Sequence, residues 1–295
     1  RWCCCRQPGR QIESRPVFWS YSFACAPAIK IVAAMAKKAK DSGQPLLFPE
    51  FRRRHLHLVL PKLLTEKATI FPFDDARLKN GLSVLQRWAD LAAQGALQQK
   101  ETSVDADFLR VIFGQGLGYM TFTDSPDAYN MDRQFTVPGA GMADGALGSF
   151  ATGREAVPSA IIECKDATTD LDHDKFNGRT PVQQLWDYLA QLPDTPWGIL
   201  TNYLAVRLYH RDSPMRAYQE FTVADFRNPA KVREFLYLFE PDGLLARSPL
   251  QRPRALDLLE NSQESRIEVG DKLYNYYADQ RQYLISALIR EYKYS

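Results

Sequence analysis

The chain has 295 residues, enough for one large or two small domains with a sizeable core. Its formal net charge of +2 neither requires nor excludes a nucleic-acid partner. No run of 18 uncharged apolar residues occurs, so the sequence contains no evident membrane-spanning helix. Four of the five cysteines lie in the first 25 residues, which does not suit a disulfide framework and favours the reducing cytoplasm.

The N-terminal segment differs in composition from the rest of the chain, and Met35 looks like a natural start of translation. We interpret residues 1–44 as a leader that is either wrongly assigned upstream sequence or disordered. The alternative is a secretory signal, with an apolar segment at 17–28. Charged residues close to both ends of that segment argue against a signal, so we leave the leader out of the fold prediction.

Three helices are predicted first, because apolar residues recur at three- and four-residue spacing. Pro61 predicts a break or kink in the first of them. His55 and His57 are two residues apart and do not share a helix face, so a metal site is not favoured there. The predicted helices span residues 48–66, 74–99 and 101–113.

A glycine-rich run at Gly114, Gly116 and Gly118 comes next. Because it follows a helix, it predicts a C-cap and turn rather than a phosphate-binding loop. The chain has no G-x-x-x-x-G-K-[ST] motif, so nothing supports an ATPase. Strands are predicted at 119–122, 134–138, 143–150 and 157–164.

The last of these strands ends in a group of chemically active side chains. Side chains alternate along a strand, so Glu163 and Lys165 point to one face and Cys164 to the other. Asp144 is expected on a neighbouring strand. Two carboxylates and the carbonyl of Cys164 are hard oxygen ligands of the kind Mg²⁺ takes. An ammonium group beside them suits the orientation or deprotonation of an attacking water.

A polar loop is predicted at 166–177. Asp170, Asp172 and Asp174 alternate as in an EF-hand. Lys175 stands where that loop needs Gly, and Pro181 stands where it needs Glu, so the pattern excludes this calcium site. The loop either lines the candidate site or is simply solvated.

A further helix is predicted at 180–192, with Thr180 as its cap and Pro181 in its first turn. Gln184 and Tyr188 are four residues apart and share one face of it. A hairpin is then predicted, and after Ser213 the chain is expected to be helical. The hairpin strands are 197–203 and 205–210, and the later helices are 229–239 and 265–294.

Asp144 followed by Glu163-Cys164-Lys165 resembles the motif of the PD-(D/E)xK nuclease superfamily, with Ala143-Asp144 in place of Pro-Asp. The Gln184 to Tyr188 run resembles the Q-x-x-x-Y signature of RecB-like members. Several short runs resemble the N-terminal nuclease region of type IIG/IIL (Eco57I-like) restriction–modification enzymes. These runs are FGQGLGY at 113–119, ADGALG at 143–148, TDLD at 169–172, TPVQQ at 180–184 and WGILTN at 197–202.

The resemblance implies an α/β fold with an αβββαβ core, a mixed central sheet flanked by helices, and added N-terminal helices. It implies Mg²⁺, with Mn²⁺ as a substitute, held by Asp144, Glu163 and the Cys164 carbonyl. Lys165 would orient or activate water, and Gln184 and Tyr188 would support the site and contact the backbone of double-stranded DNA. Glu101 or Asp107 is expected as an additional acid from the helix before the first strand.

The same resemblance divides the chain into a nuclease domain at 45–215 and a helical connector at 216–295. In the fused enzymes such a connector leads to a methyltransferase and then to a target-recognition domain. The chain lacks an F-x-G-x-G loop, and Asn228-Pro229-Ala230 lacks the N-P-P-[YF] shape of adenine methyltransferases. We therefore expect a fragment that does not itself methylate, with S-adenosylmethionine relevant only to a downstream domain.

Three alternatives remain open from the sequence. The chain could be a free-standing RecB-like repair or processing nuclease that acts on DNA ends or single strands. It could be a degenerate nuclease fold that binds DNA without cutting it. Finally, Asp144, Glu163 and Lys165 could form an ordinary ion pair.

Overall fold

The computed structural model describes residues 55–98, 101–246 and 251–292. The leader predicted at residues 1–44 lies outside these ranges. Within them, no helix combines the length and apolar character needed to cross a membrane.

The centre of the fold is a mixed β-sheet. Its strands are β1 (Leu56–His57), β2 (Tyr129–Val137), β3 (Gly141–Phe150), β4 (Val157–Cys164), β5 (Trp197–Thr201), β6 (Ala205–His210) and β7 (Ala217–Thr222). They lie in the order β1-β7-β6-β5-β4-β3-β2. The pairs β4/β5 and β1/β7 are parallel, and the other neighbours are antiparallel. The α/β class with a mixed, helix-flanked sheet is therefore confirmed.

Helices surround this sheet. They are α1 (Pro61–Ile70), α2 (Asp75–Ala93), α3 (Glu101–Phe108), α4 (Pro181–Gln191), α5 (Pro229–Phe239), α6 (Pro241–Leu244) and α7 (Arg254–Tyr292). A π-helical segment, Leu109–Gly116, continues α3, and a short 3-10 turn covers Asp225–Arg227. The chain thus runs through a helix, three antiparallel strands, a helix and a strand parallel to the third.

Two apolar cores lie on opposite faces of the sheet. The larger core packs α2, α3 and α5 against residues such as Ile162 and Cys164. The smaller core packs α4 against the other face, where Ile161 and Leu185 are both fully buried. Ile161 and Ile162 belong to different cores because consecutive strand residues point in opposite directions. Strand β4 is therefore covered on both faces, and its C-terminal end lies between the two helical layers.

Local sequence explains how α4 begins. The hydroxyl of Thr180 accepts a hydrogen bond from the Gln183 amide, and the Gln183 side chain accepts one from the Thr180 amide. This reciprocal capping box satisfies two amides that the helix cannot pair internally. Pro181 occupies the first helical position, where a missing amide hydrogen has no consequence. The start of α4, and so the placement of Gln184 and Tyr188, is fixed locally.

The first predicted helix is wrong at its N-terminal end. Leu56–His57 forms strand β1, which pairs with β7, and the helix begins only at Pro61. Pro61 therefore starts α1 instead of kinking a longer helix. The sequence pattern missed this because a two-residue edge strand has no periodicity of its own.

Two further predictions need correction. Residues 119–122 form turns and irregular structure, not a strand, although the amide of Met131 bonds back to the Met120 carbonyl. The chain after residue 213 is not only helical, because β7 adds a strand to the sheet and Val232 and Phe235 of α5 pack in the larger core. The last helix starts at Arg254, eleven residues before the predicted start. Its exposed part begins after Ser262.

Candidate active site

Strands β3 and β4 bring the acidic residues together. Gly145 of β3 pairs with Ile162 of β4, so Asp144 and Glu163 are neighbours across the two strands. An Oδ2 atom of Asp144 accepts a 2.7 Å hydrogen bond from the backbone amide of Cys164. The side chain of Asp144 is therefore fixed at the end of β4.

Glu163 and Lys165 form a buried ion pair. The ammonium Nζ of Lys165 donates to Oε1 of Glu163 at 2.5 Å. Glu163 is 2% exposed and Lys165 is 8% exposed. Cys164, between them, is fully buried on the opposite face, in the larger core. The alternation predicted from the sequence is what brings the carboxylate and the ammonium into contact.

The electrostatic state of Glu163 is unusual. Burial raises the pKa of its carboxyl to about 7, and the negative charge of Asp144 acts in the same direction. The charge and hydrogen bond of Lys165 and the hydroxyl of Tyr188 lower this pKa without cancelling the rise. Among the described residues, the buried Oε2 atom of Glu163 has no hydrogen-bond partner of good geometry. A buried carboxylate oxygen without a hydrogen-bond partner raises the free energy of the folded state. An external cation or hydrogen-bond donor at Oε2 would lower it.

Helix α4 places Gln184 and Tyr188 beside this group. Nε2 of Gln184 donates to the Tyr188 hydroxyl at 2.8 Å, and that hydroxyl donates to the carbonyl of Met142 at 2.9 Å. Burial raises the pKa of Tyr188, the bond from Gln184 opposes the rise, and the charges of Glu163 and Asp144 add to it. The two residues thus brace β3 next to Asp144, and they lie within electrostatic reach of both carboxylates.

Asp105 on α3 is an additional acid that the sequence analysis did not select. Its carboxylate accepts a hydrogen bond from the Tyr203 hydroxyl. Burial raises the pKa of Asp105, while the Tyr203 bond and the positive charge of Lys165 lower it. The backbone of Tyr203 is in the left-handed region at φ 66°, which is strained for a bulky aromatic residue. A strained turn between β5 and β6 therefore holds Asp105 near Lys165.

A sequence signal for Asp105 was present. It lies three residues before Phe108, which points into the core, and four residues after Glu101, so all three share one helix face. Asp107, the other residue considered, instead forms an exposed ion pair with Arg110 at 2.8 Å. The side chain of Glu101 lies outside the described residues.

A cavity of about 990 Å³ opens beside the acids, and both Asp105 and Asp144 line it. Arg110, Arg133 and Gln134 line it as well. Gln134 has φ 56°, a left-handed conformation within strand β2, and sits opposite Asp144 between two regular strand pairs. Strained residues of this kind cluster at functional sites. The cavity is thus lined by carboxylates, which include Asp124 and Asp132, as well as by arginines and an amide.

The donor set fits Mg²⁺ better than a metal with a full protein cage. Within the described ranges, no three or more His, Cys, Asp or Glu side chains are arranged to hold a metal ion. Mg²⁺ is commonly held by one or two carboxylates, with waters and substrate phosphates completing six ligands. Asp144 and Glu163, with the unpartnered Oε2 and the raised pKa of Glu163, supply that kind of partial site.

Comparisons with known proteins add little to this geometry. No protein-family model matches the chain. No curated protein matches it either. A cryo-EM structure of a DrdV–DNA complex is similar at 19% sequence identity and a TM-score of 0.32, over 56% of this chain and 99% of that chain. A likeness at that level carries no argument about this chain, so its function has to be argued from the site.

Proposed function

We propose that this chain is a Mg²⁺-dependent DNA endonuclease domain with a PD-(D/E)xK-type site, from a restriction–modification enzyme. The observation that carries the proposal is the buried Glu163–Lys165 pair beside Asp144, in which Oε2 of Glu163 lacks a hydrogen-bond partner of good geometry among the described residues. The order helix, three strands, helix, strand, with the acids on the second and third strands, is the arrangement that this superfamily resemblance implies.

Each residue has a proposed role. Asp144 and Glu163, with the carbonyl of Cys164, would hold the metal ion. Bound Mg²⁺ would polarise a phosphoryl oxygen and lower the pKa of a water ligand. Lys165, fixed by Glu163, orients the attacking water and stabilises negative charge on the phosphate. Gln184 and Tyr188 keep β3 in place and lie where the DNA backbone would pass.

An ordinary structural ion pair explains this site less well. Such a pair is stabilised by completing the hydrogen bonds of both partners, because each unpaired buried polar atom has a desolvation penalty. Here a second carboxylate, Asp144, lies next to Glu163 and raises its pKa further. A third, Asp105, is held nearby by Tyr203. The negative charge of Asp144 beside a partly satisfied carboxylate destabilises the metal-free fold and would favour cation binding.

The cavity supports DNA as the substrate class. Arg110 and Arg133 line it and would supply cationic groups for phosphates, although Arg110 also pairs with Asp107. Such contacts give affinity without sequence choice, so recognition of a specific site would belong to another part of a longer protein. In the proposed setting that part follows a methyltransferase domain, which would also be the component that uses S-adenosylmethionine.

The test uses the full chain with closed circular plasmid and with linear duplex DNA, each with Mg²⁺, with Mn²⁺ or with EDTA. We expect metal-dependent cutting of the closed circle, abolished by EDTA and lost in Asp144→Asn. Glu268→Gln, on the exposed part of α7, is the matched control and should cut normally. Degradation confined to linear DNA would favour the end-processing alternative. DNA binding without cutting in either metal would contradict the proposal and favour a binding module.

A further inference from the structure

The loop from residue 166 to 180 carries an exposed aromatic residue into the site. Asn177 and Gly178 have φ values of 52° and 82°, the two consecutive left-handed residues of a tight primed hairpin turn. The flanking residues, Phe176 and Arg179, exchange two backbone hydrogen bonds of 2.8 and 3.1 Å. An Asn-Gly pair adopts this turn with little strain, so the position of Phe176 is set by the backbone.

The rest of this loop is fixed to the sheet beneath it. Both guanidinium amines of Arg207 on β6 donate to the two carboxylate oxygens of Asp172, at 2.8 and 3.0 Å. The side-chain amide of Asn202 donates to the carbonyl of Thr169 at 3.0 Å. A bidentate arginine–carboxylate pair fixes orientation as well as distance. The loop is therefore anchored at two points before it reaches the turn.

At the end of this anchored loop, the ring of Phe176 covers Lys165. Nζ of Lys165 lies over the ring, 5.4 Å from its centroid. Phe176 is nevertheless 42% exposed, a large apolar surface to leave in water beside a polar site. An ammonium within about 6 Å of a ring centroid is attracted by the negative face of the ring. The ammonium thus has a carboxylate, Glu163, and an aromatic face as two of its contacts.

We infer that Phe176 is a positioning residue for Lys165: its ring fixes the ammonium over Glu163 and shields it from bulk water. This inference rests on the proposed function, because it assigns Phe176 to the same reaction. A lysine side chain has four rotatable bonds, and an ammonium that samples several positions orients a water poorly. The Asn-Gly turn and the Arg207–Asp172 pair serve this role by fixing the ring.

The first test separates the ring from simple apolar cover. Phe176→Leu keeps an apolar side chain but has no aromatic face, whereas Phe176→Tyr keeps the face. We expect Phe176→Leu to lower kcat about tenfold with little change in KM, and Phe176→Tyr to restore nearly wild-type kcat. A rise in KM at constant kcat would mean that the ring binds substrate directly, and equal activity of the Leu and Tyr variants would also overturn the inference.

The second test moves the ring without changing it. Gly178→Ala places a Cβ at φ 82° in open space, and Gly153→Ala does the same at φ 75° in the turn between β3 and β4. Both variants are strained by a similar amount, so their thermal stabilities should fall alike. Only Gly178→Ala should lower kcat, again about tenfold. An equal effect of the two variants on kcat would contradict the inference.

A readout without catalysis keeps this inference separate from the proposed function. In protein with ¹³C-labelled lysine, the Cε protons of Lys165 should resonate upfield because they lie over the Phe176 ring. Lys165→Arg identifies the signal. The upfield shift should persist in Phe176→Tyr and vanish in Phe176→Leu. If the shift behaves so but the wild type cuts no DNA, the proposed function fails while the contact stands. If the wild type cuts DNA but no shift exists, only this inference fails.

Discussion

Glu163 has the most unusual environment of the side chains in the candidate site. It is almost fully buried, it contacts an ammonium through one oxygen, and its other oxygen has no hydrogen-bond partner of good geometry among the described residues. Asp144 lies beside it and raises its pKa. Burial therefore makes the metal-free carboxylate unfavourable, and a divalent cation would reverse that penalty. In the proposed function, the same features that destabilise the empty site would strengthen ion binding.

The raised pKa of Glu163 predicts how the metal-free protein responds to pH. The carboxyl has an unfolded pKa near 4.5 and a folded pKa of about 7, so the folded state binds more protons between these values. Its contribution to stability is therefore lost as pH rises from about 4.5 to 7, by about 3 kcal/mol. Unfolding by urea in EDTA, measured at pH 5, 6, 7 and 8, tests this decline.

Asp144→Asn is the matched variant for that measurement. The amide oxygen can still accept the hydrogen bond from the Cys164 backbone, but the negative charge beside Glu163 is gone. We expect a shallower loss of stability over the same pH range, and less stabilisation by added Mg²⁺ than in the wild type. Identical pH profiles for the wild type and Asp144→Asn would show that the two carboxylates are not coupled.

At the residue scale, strand alternation correctly predicted that Glu163 and Lys165 share a face, and the motif resemblance predicted that Asp144 lies beside them. Their catalytic roles stay predictions. Asp105 and Phe176 were not found, since their positions depend on tertiary contacts with Tyr203 and Lys165. The shared helix face with Phe108 was a weak local signal for Asp105, whereas a loop phenylalanine such as Phe176 carries no local signal that separates it from solvated neighbours.

At the scale of elements, the loop over the site depends on Arg207. Its guanidinium is nearly buried and contacts both Asp172 and Glu220. Burial disfavours the charged guanidinium, but the hydrogen bonds with Asp172 and Glu220 outweigh that effect and raise the pKa of Arg207. The guanidinium carbon of Arg207 also lies over the ring of Tyr218, 4.4 Å from the ring centroid. Arg207 is thus one of the two side chains that anchor the loop, the other being Asn202.

Arg207→Lys should detach the loop because an ammonium cannot form the bidentate contact with Asp172. We expect a loss of about 1 to 3 kcal/mol in the free energy of unfolding. We also expect faster amide hydrogen exchange at residues 170–178. Arg179→Lys is the control, since its pair with Asp187 is about half exposed and should contribute less than about 0.5 kcal/mol. Equal losses in both variants would contradict the anchoring role.

Helix α4 depends on a glycine for its close approach to the sheet. A Cβ at Gly198 would lie 2.9 Å from Cδ2 of Leu185 and 3.2 Å from Cδ1 of Leu189. Gly198→Ala should therefore push α4 outward and reduce stability by about 1 to 3 kcal/mol. Because Gln184 and Tyr188 lie on that helix, DNA cleavage should fall as well. A cleavage rate unchanged in folded Gly198→Ala would show that α4 is not needed for the reaction.

Element prediction succeeded where periodicity was strong and failed at the sheet edges. Strand β4 and helix α4 carry a β-branched run and a capping box, and both were predicted within a residue or two. Strand β1 was missed because the pairing of Leu56 with Ala217 joins distant parts of the chain, whereas β7 was missed although it pairs with the adjacent strand β6. Local patterns do not report such pairing, and β7 does not alternate clearly in sequence.

On the scale of the whole molecule, the described part is a packed sheet-and-helix body with one long helix leaving it. Helix α7 is buried at its start, where Leu258, Leu259 and Ser262 contact the core. The Leu60 amide donates to the Ser262 hydroxyl, and Arg266 donates to the carbonyls of His57 and Leu58. Beyond these contacts, its residues are exposed up to residue 292.

Truncation tests how much of α7 the body needs. A chain ending at Lys272 keeps the contacts of Ser262 and Arg266, so its melting temperature should stay within about 2 °C of the full chain. A chain ending at Asn261 loses both residues and should melt several degrees lower, about 4 °C or more. If the chain ending at Lys272 melted as low as the chain ending at Asn261, the exposed part of α7 would contribute to the stability of the body.

The rate at which closed circular DNA is cut in saturating Mg²⁺, by the wild type and by Lys165→Met side by side, tests the central claim most directly. Methionine fills the space of the lysine stem but has no ammonium, and circular dichroism would confirm that the variant is folded. We predict a rate about 10² to 10⁴ times lower in the variant. A folded Lys165→Met protein that cuts at the wild-type rate would contradict the account.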